Sequence, residues 1–149
     1  MLDSKLALNA GKIFIWNNYP FFECEEKDRR WFLFLGNCII TDFIFQVTTT
    51  TQTDYYIKGG RRALNNHFAL KTGDGGLEKD CIIDLTMYYE KLPHVEINNF
   101  TSKIDPKTLL TQEKVNILVK HIVVDKDIIG IEKKTIYQCL RNSGFKINV

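Results

Sequence analysis

The chain has 149 residues, 44% hydrophobic and 26% charged, which fits one globular domain with one core and excludes a disordered polypeptide. Its net charge of +2 excludes broad electrostatic capture of duplex DNA, which needs a strongly basic face. No apolar run reaches the length of a membrane span, so a protein without a membrane partner is expected.

Residues 1–10 read as a short helical lead-in. Gly11 opens a first strand, Lys12-Ile13-Phe14-Ile15-Trp16, which Asn17-Asn18-Tyr19-Pro20 breaks. The stretch from Phe21 to Asp28 reads as a loop and carries Glu23, Glu25 and Glu26. Asp28-Arg29-Arg30 then stands at the mouth of the continuous apolar run Trp31 to Leu35, a central strand covered on both faces. Ile39 to Val47 is a third strand, kinked at Thr41-Asp42, and the hydroxyl cluster Thr48-Thr49-Thr50-Thr51-Gln52 follows it. Arginines and hydroxyls at strand ends can meet in one groove. That combination suits a phosphodiester, because a guanidinium presents several donors to phosphate oxygens.

Thr53 to Asn66 is polar, with Gly59-Gly60 as a loop or hairpin tip. His67-Phe68-Ala69-Leu70 and Cys81 to Leu85 are short strands, separated by the sharp turn Gly73-Asp74-Gly75-Gly76. Glu96 to Phe100 adds a last strand. Asp105-Pro106 has the chemistry of a helix start, and Leu109, Leu110, Ile117, Leu118, His121 and Ile122 recur at helical spacing up to Val124. A second helix is predicted from Ile131 to Arg141, stopped by Asn142-Ser143-Gly144. Short strands followed by terminal helices predict a mainly β, α+β domain: a small barrel over 11–100 and a helical part over 105–142, within a single domain of residues 1–149.

The cysteines, Cys24, Cys38, Cys81 and Cys139, lack the close spacing of a zinc or redox motif. With no signal peptide read at the start, they are expected reduced in a cytoplasm. Three scattered histidines, His67, His94 and His121, have no carboxylates spaced to suit them, so no metal and no cofactor are expected. His67 and His94 are acid–base candidates, weighed below a role as ordinary loop or strand histidines.

The order of the pieces resembles the MazF/PemK family of toxin endoribonucleases from toxin–antitoxin modules. The resemblance runs from about Gly11 to Val124. It rests on Gly11-Lys12-Ile13-Phe14-Ile15, then on Arg30-Trp31-Phe32-Leu33-Phe34-Leu35-Gly36-Asn37 in place of the family's Arg-Pro strand. Val47-Thr48-Thr49 matches a later strand end, Gly76-Leu77-Glu78-Lys79-Asp80-Cys81-Ile82-Ile83-Asp84-Leu85 a Gly-Leu-led strand, and Pro106 to Val124 a C-terminal helix. Trp31 stands where the family has proline, and the second C-terminal helix has no counterpart.

The resemblance implies an SH3-like barrel that forms a homodimer. It implies metal-free cleavage of single-stranded RNA through attack of the 2′-OH, and a cognate antitoxin that fills the groove. Arg30 would stabilise charge and Thr48 would donate to the scissile phosphate, with Arg29 and Thr49 as substitutes should the register slip by one. Tyr55 and Tyr56, in a polar loop beside Lys58, Arg61 and Arg62, are candidates for RNA contact; Tyr19, Phe21 and Trp31 are weaker stacking candidates. Two alternatives keep the barrel: a binding module without catalysis, favoured by Trp31, and a gyrase-directed toxin of the CcdB type, which has no use for the arginine–threonine pair.

Overall fold

The structure, a computed structural model, describes residues 8–19, 29–38, 40–93 and 104–149. It is an α+β fold built on a seven-stranded antiparallel sheet: β1 (Lys12–Trp16), β2 (Arg30–Cys38), β3 (Phe43–Thr50), β4 (His67–Leu70), β5 (Cys81–Asp84), β6 (Tyr89–Pro93) and β7 (Ile104–Leu109). The strands run β4-β5-β3-β2-β1-β7, with β6 also paired to β3. The helices are α1 (Leu85–Tyr88), α2 (Gln112–Val124) and α3 (Gly130–Asn142). Among the described residues no hydrogen-bonded pair joins β4 to β7, so the sheet is not a closed barrel.

Alternation along β1, β2 and β3 divides the apolar residues between two faces. Phe14, Trp16, Phe32, Phe34 and Ile44 form one aromatic cluster with Tyr19. Its rings pack tightly: Phe14 on Phe32 at 5.3 Å and Tyr19 on Phe32 at 4.8 Å between centroids. Ile13, Leu33, Val47 and Ile83 face the other way. There they meet Val115, Leu118 and Ile122 of α2 and Ile136 and Leu140 of α3 in the larger core. This is why the runs of β1 and β2 are apolar throughout: both faces are covered.

Gly36 sets how close α3 can come. It lies at a β-bulge, where the β2–β3 register shifts between Phe34 and Gly36, with φ +134°. A Cβ on it would stand 2.7 Å from the Cβ of Cys139. The missing side chain is the space in which α3 crosses β2.

Several predicted elements change. Ile40-Thr41-Asp42 is the turn of the β2–β3 hairpin, not a kink in a strand, with Asp42 at φ +60°. The third strand therefore starts at Phe43 and runs through Thr50, so three of the threonines are strand residues. Asp105-Pro106 starts no helix. It belongs to β7 on the sheet edge, where Pro106 lies opposite Phe14 beside a register shift and its missing N–H breaks no central ladder. Helix α2 starts six positions later, with Thr111 in place of Asp105 as its cap, accepting from the Lys114 backbone N–H at 3.3 Å. The β part thus extends past 100 to Leu109. The second terminal helix lies where its periodicity places it. The predicted strand over Glu96–Phe100, the loop over Phe21–Asp28 with its acidic residues, Cys24 and His94 lie outside the described residues.

Candidate functional site

β3 has two successive partners on one edge. Thr49 and Thr50 pair with Ile83 and Ile82 of β5, and Val47 to Phe43 pair with Tyr89 to Pro93 of β6. Between them the chain leaves the sheet as the single turn α1, level with Thr48. Asp84 caps that turn, accepting the Met87 backbone N–H at 3.0 Å. A side chain from the turn, Tyr88, is thereby delivered beside the threonine run.

The other edge of β3 carries β2. Phe32 pairs with Thr48, and Trp16 of β1 pairs with Arg30. Arg30 is two residues from Phe32, so Arg30, Phe32 and Thr48 share one face. Arg29, Trp31 and Thr49 belong to the opposite face. At the strand ends both faces border one groove, so the substitutes Arg29 and Thr49 stand in it beside Arg30 and Thr48.

Two adjoining cavities lie at these strand ends. The larger, about 400 Å³, is lined by Arg29, Arg30, Trp31, Thr48, Thr49, Thr50, Thr51, Gln52 and Tyr88. The smaller, about 220 Å³, shares Arg29, Trp31, Thr49 and Thr51 with it and adds Leu77, Glu78, Lys79 and Cys81. Arg30, Thr48 and Tyr88 belong to the larger alone. It offers two guanidinium groups and a row of hydroxyls, and no histidine or carboxylate lines it among the described residues. This is a donor-rich surface for an anion with several oxygens.

Tyr88 is held from behind. Arg62 Nη1 donates to its hydroxyl at 3.0 Å and to that of Tyr56 at 3.4 Å. The Tyr56 hydroxyl donates in turn to Asp84 at 2.7 Å, and Asn65 Nδ2 donates to the same carboxylate oxygen at 2.9 Å. Asp84 is fully buried and Arg62 nearly so. Their opposite charges meet through a phenol, so neither is left uncompensated in a low dielectric. Burial and the Asp84 acceptor push the Tyr56 phenol up to about 12, and its bond to Tyr56 raises Arg62 further.

The loop residues singled out in the sequence thus divide. Tyr56 and Arg62 are internal and brace α1. Arg61 stacks over the Tyr55 ring at 3.9 Å, and Lys58 is exposed. None of the five lines the groove; Arg62 reaches it only through Tyr88. Tyr19 is buried in the aromatic cluster and bonds Glu90, which also accepts from Gln46 Nε2 at 2.6 Å. His67 donates to the Asn65 backbone oxygen at 2.8 Å and packs on Tyr56. His121 donates to Asn66 Oδ1 at 2.7 Å, tying α2 to the loop before β4. Both histidines are structural, and no group of three metal-ligating side chains occurs among the described residues.

Tyr88 is the lining residue that sequence reasoning missed, whereas Thr50, Thr51 and Gln52 stand in the hydroxyl cluster singled out there. Tyr88 was not legible, because a helical turn interrupting two collinear strands leaves no periodicity.

No protein-family model matches the chain, and no curated protein matches it significantly.

Proposed function

We propose that the protein is a metal-independent endoribonuclease that cleaves single-stranded RNA by attack of the 2′-OH on the adjacent phosphorus. The observation that carries this reading is the convergence of Arg30, Thr48 and Tyr88 on one open groove. Arg30 binds two non-bridging oxygens and offsets the charge that builds in the phosphorane-like transition state. Thr48 donates to the same phosphate and fixes its orientation. The Tyr88 oxygen already accepts from Arg62, so its own proton is available to the departing 5′ oxygen. No side-chain base lines the groove among the described residues, so the 2′-OH proton leaves to solvent.

The reading carries the rest of the family's properties with it: an SH3-like barrel, a homodimer, and an antitoxin whose tail competes with RNA for the groove. A toxin–antitoxin role in the cytoplasm is part of the same proposal. Arg30→Ala and Thr48→Val test it. Cleavage is expected to fall about 10²–10³-fold for the first, with unchanged circular dichroism. Cleavage by Arg30→Ala at the parental rate would sink the assignment.

A second reading, an RNA-binding module without catalysis, is favoured by Trp31, which stands where the family has proline. It predicts RNA binding that Arg30→Ala weakens and no cutting by either protein. The gyrase-directed alternative leaves the arginines and hydroxyls without a task.

A further inference from the structure

The smaller cavity adjoins the larger groove, and the two share Arg29, Trp31, Thr49 and Thr51. Its apolar part is Trp31, Leu77 and the buried Cys81; its polar part is Arg29, Glu78 and Lys79. Trp31 is only partly buried, although it stands in a strand whose next four residues are buried completely or nearly so. Lys107 Nζ lies 5.9 Å over its ring. Arg29 and Glu78 face each other across the opening at 3.8 Å, both side chains more than half exposed.

We propose that this cavity is a nucleobase subsite: a base attached to the nucleotide whose phosphate lies in the larger groove packs against Trp31, and guanine is the preferred base. The proposal rests on the RNA reading for the phosphate, but the pocket has its own chemistry. A flat ring gains most from an indole wall, and every base has such a face. An about 220 Å³ cavity holds roughly seven waters at ~30 Å³ each, or one bicyclic ring. Selection comes from the edge. Glu78 offers two acceptor oxygens side by side, and among the four bases only guanine presents two adjacent donors, N1–H and the N2 amino group. Arg29, already paired to Glu78, is placed to donate to the guanine O6 and N7 acceptors. Uracil and cytosine bring acceptors next to the carboxylate, which repel it.

The two tryptophans make this measurable without any cleavage. Trp16 is fully buried in the aromatic cluster, so nucleotide-dependent quenching reports on Trp31. The purified full chain is titrated with GMP, AMP, CMP, UMP and ribose 5-phosphate to millimolar concentration. GMP is expected to quench at a concentration about tenfold lower than UMP, ribose 5-phosphate not at all, and Glu78→Gln to bring GMP level with AMP. In Trp31→Leu, saturation transfer from protein to GMP base protons is expected to vanish while the protein stays folded. Equal quenching by all four nucleotides would overturn the guanine assignment. Quenching by ribose 5-phosphate, or none by any nucleotide, would overturn the subsite. RNA cleavage is assayed on the same preparation. Cutting without quenching removes the subsite and leaves the nuclease reading, whereas quenching without cutting does the reverse.

Discussion

Arg62 Nη1 donates to the Tyr88 hydroxyl at 3.0 Å, joining a buried cation to the wall of the open groove across 26 residues of chain. The bond gives the phenol an acceptor's role toward the interior and leaves its proton for the groove side. Tyr88→Phe keeps the ring and removes that proton. RNA cleavage is expected to fall about 10²-fold or more, with the thermal midpoint little changed. Arg62→Met should lower both activity and stability, because it strips a donor from two phenols at once. A Tyr88→Phe variant with parental turnover would exclude the proton-donor role.

Asp84 is the keystone of the same assembly. It accepts from Tyr56, from Asn65 and from the first turn of α1. Asp84→Ala leaves a buried phenol and an amide unsatisfied and uncaps α1. Chemical denaturation should show a loss of about 2–4 kcal/mol. A loss below about 0.5 kcal/mol would mean that the network is not closed as described.

Gly36 has no room for a side chain beneath α3. Alanine there adds a methyl within 2.7 Å of the Cys139 side chain at φ +134°. Gly36→Ala is expected to cost about 1–3 kcal/mol. Cys139→Gly in the same chain removes the obstructing side chain and should restore part of that cost. Two additive losses would show that β2 and α3 do not press together at this point.

His121 gives stability a pH dependence of known sign. Burial, and secondarily the charge of His67, hold its imidazole below the ordinary value of 6.5 in the folded protein. The unfolded chain therefore binds the proton more readily. His121 stabilises the fold above pH 6.5, and that contribution is lost as pH falls from 6.5 through the folded value. Unfolding free energies measured between pH 5 and 8 should fall on the acid side, and His121→Gln should flatten the decline. A decline of the same size in that variant would assign it to other groups.

Much of the fold was legible because local chemistry and tertiary environment agreed. Lys12–Trp16 and the run after Arg30 are apolar on both faces, and both faces are covered. Ile131 to Arg141 carries its core residues on one helical side, and α3 is there. Where local signals were ambiguous, packing decided. Asp105-Pro106 has the chemistry of a helix start and equally that of an edge strand, and a vacant place beside β1 made it β7. For the site, the arginine pair and the hydroxyl run were legible as polar strand ends, and the groove takes in Arg29, Arg30, Thr48 and Thr49 together. The Arg62–Tyr56–Asp84 network and Tyr88 were out of reach, because their partners lie 6 to 28 residues apart and no spacing rule links them.

The central claim is tested most directly by incubating the purified protein with a long mixed-sequence single-stranded RNA in EDTA and mapping the ends produced, at several pH values. The account predicts discrete cuts leaving a 5′-hydroxyl and a cyclic or 3′-phosphate, at a rate that Arg30→Ala lowers at every pH. Intact RNA in the presence of folded protein would contradict catalysis and leave a binding module.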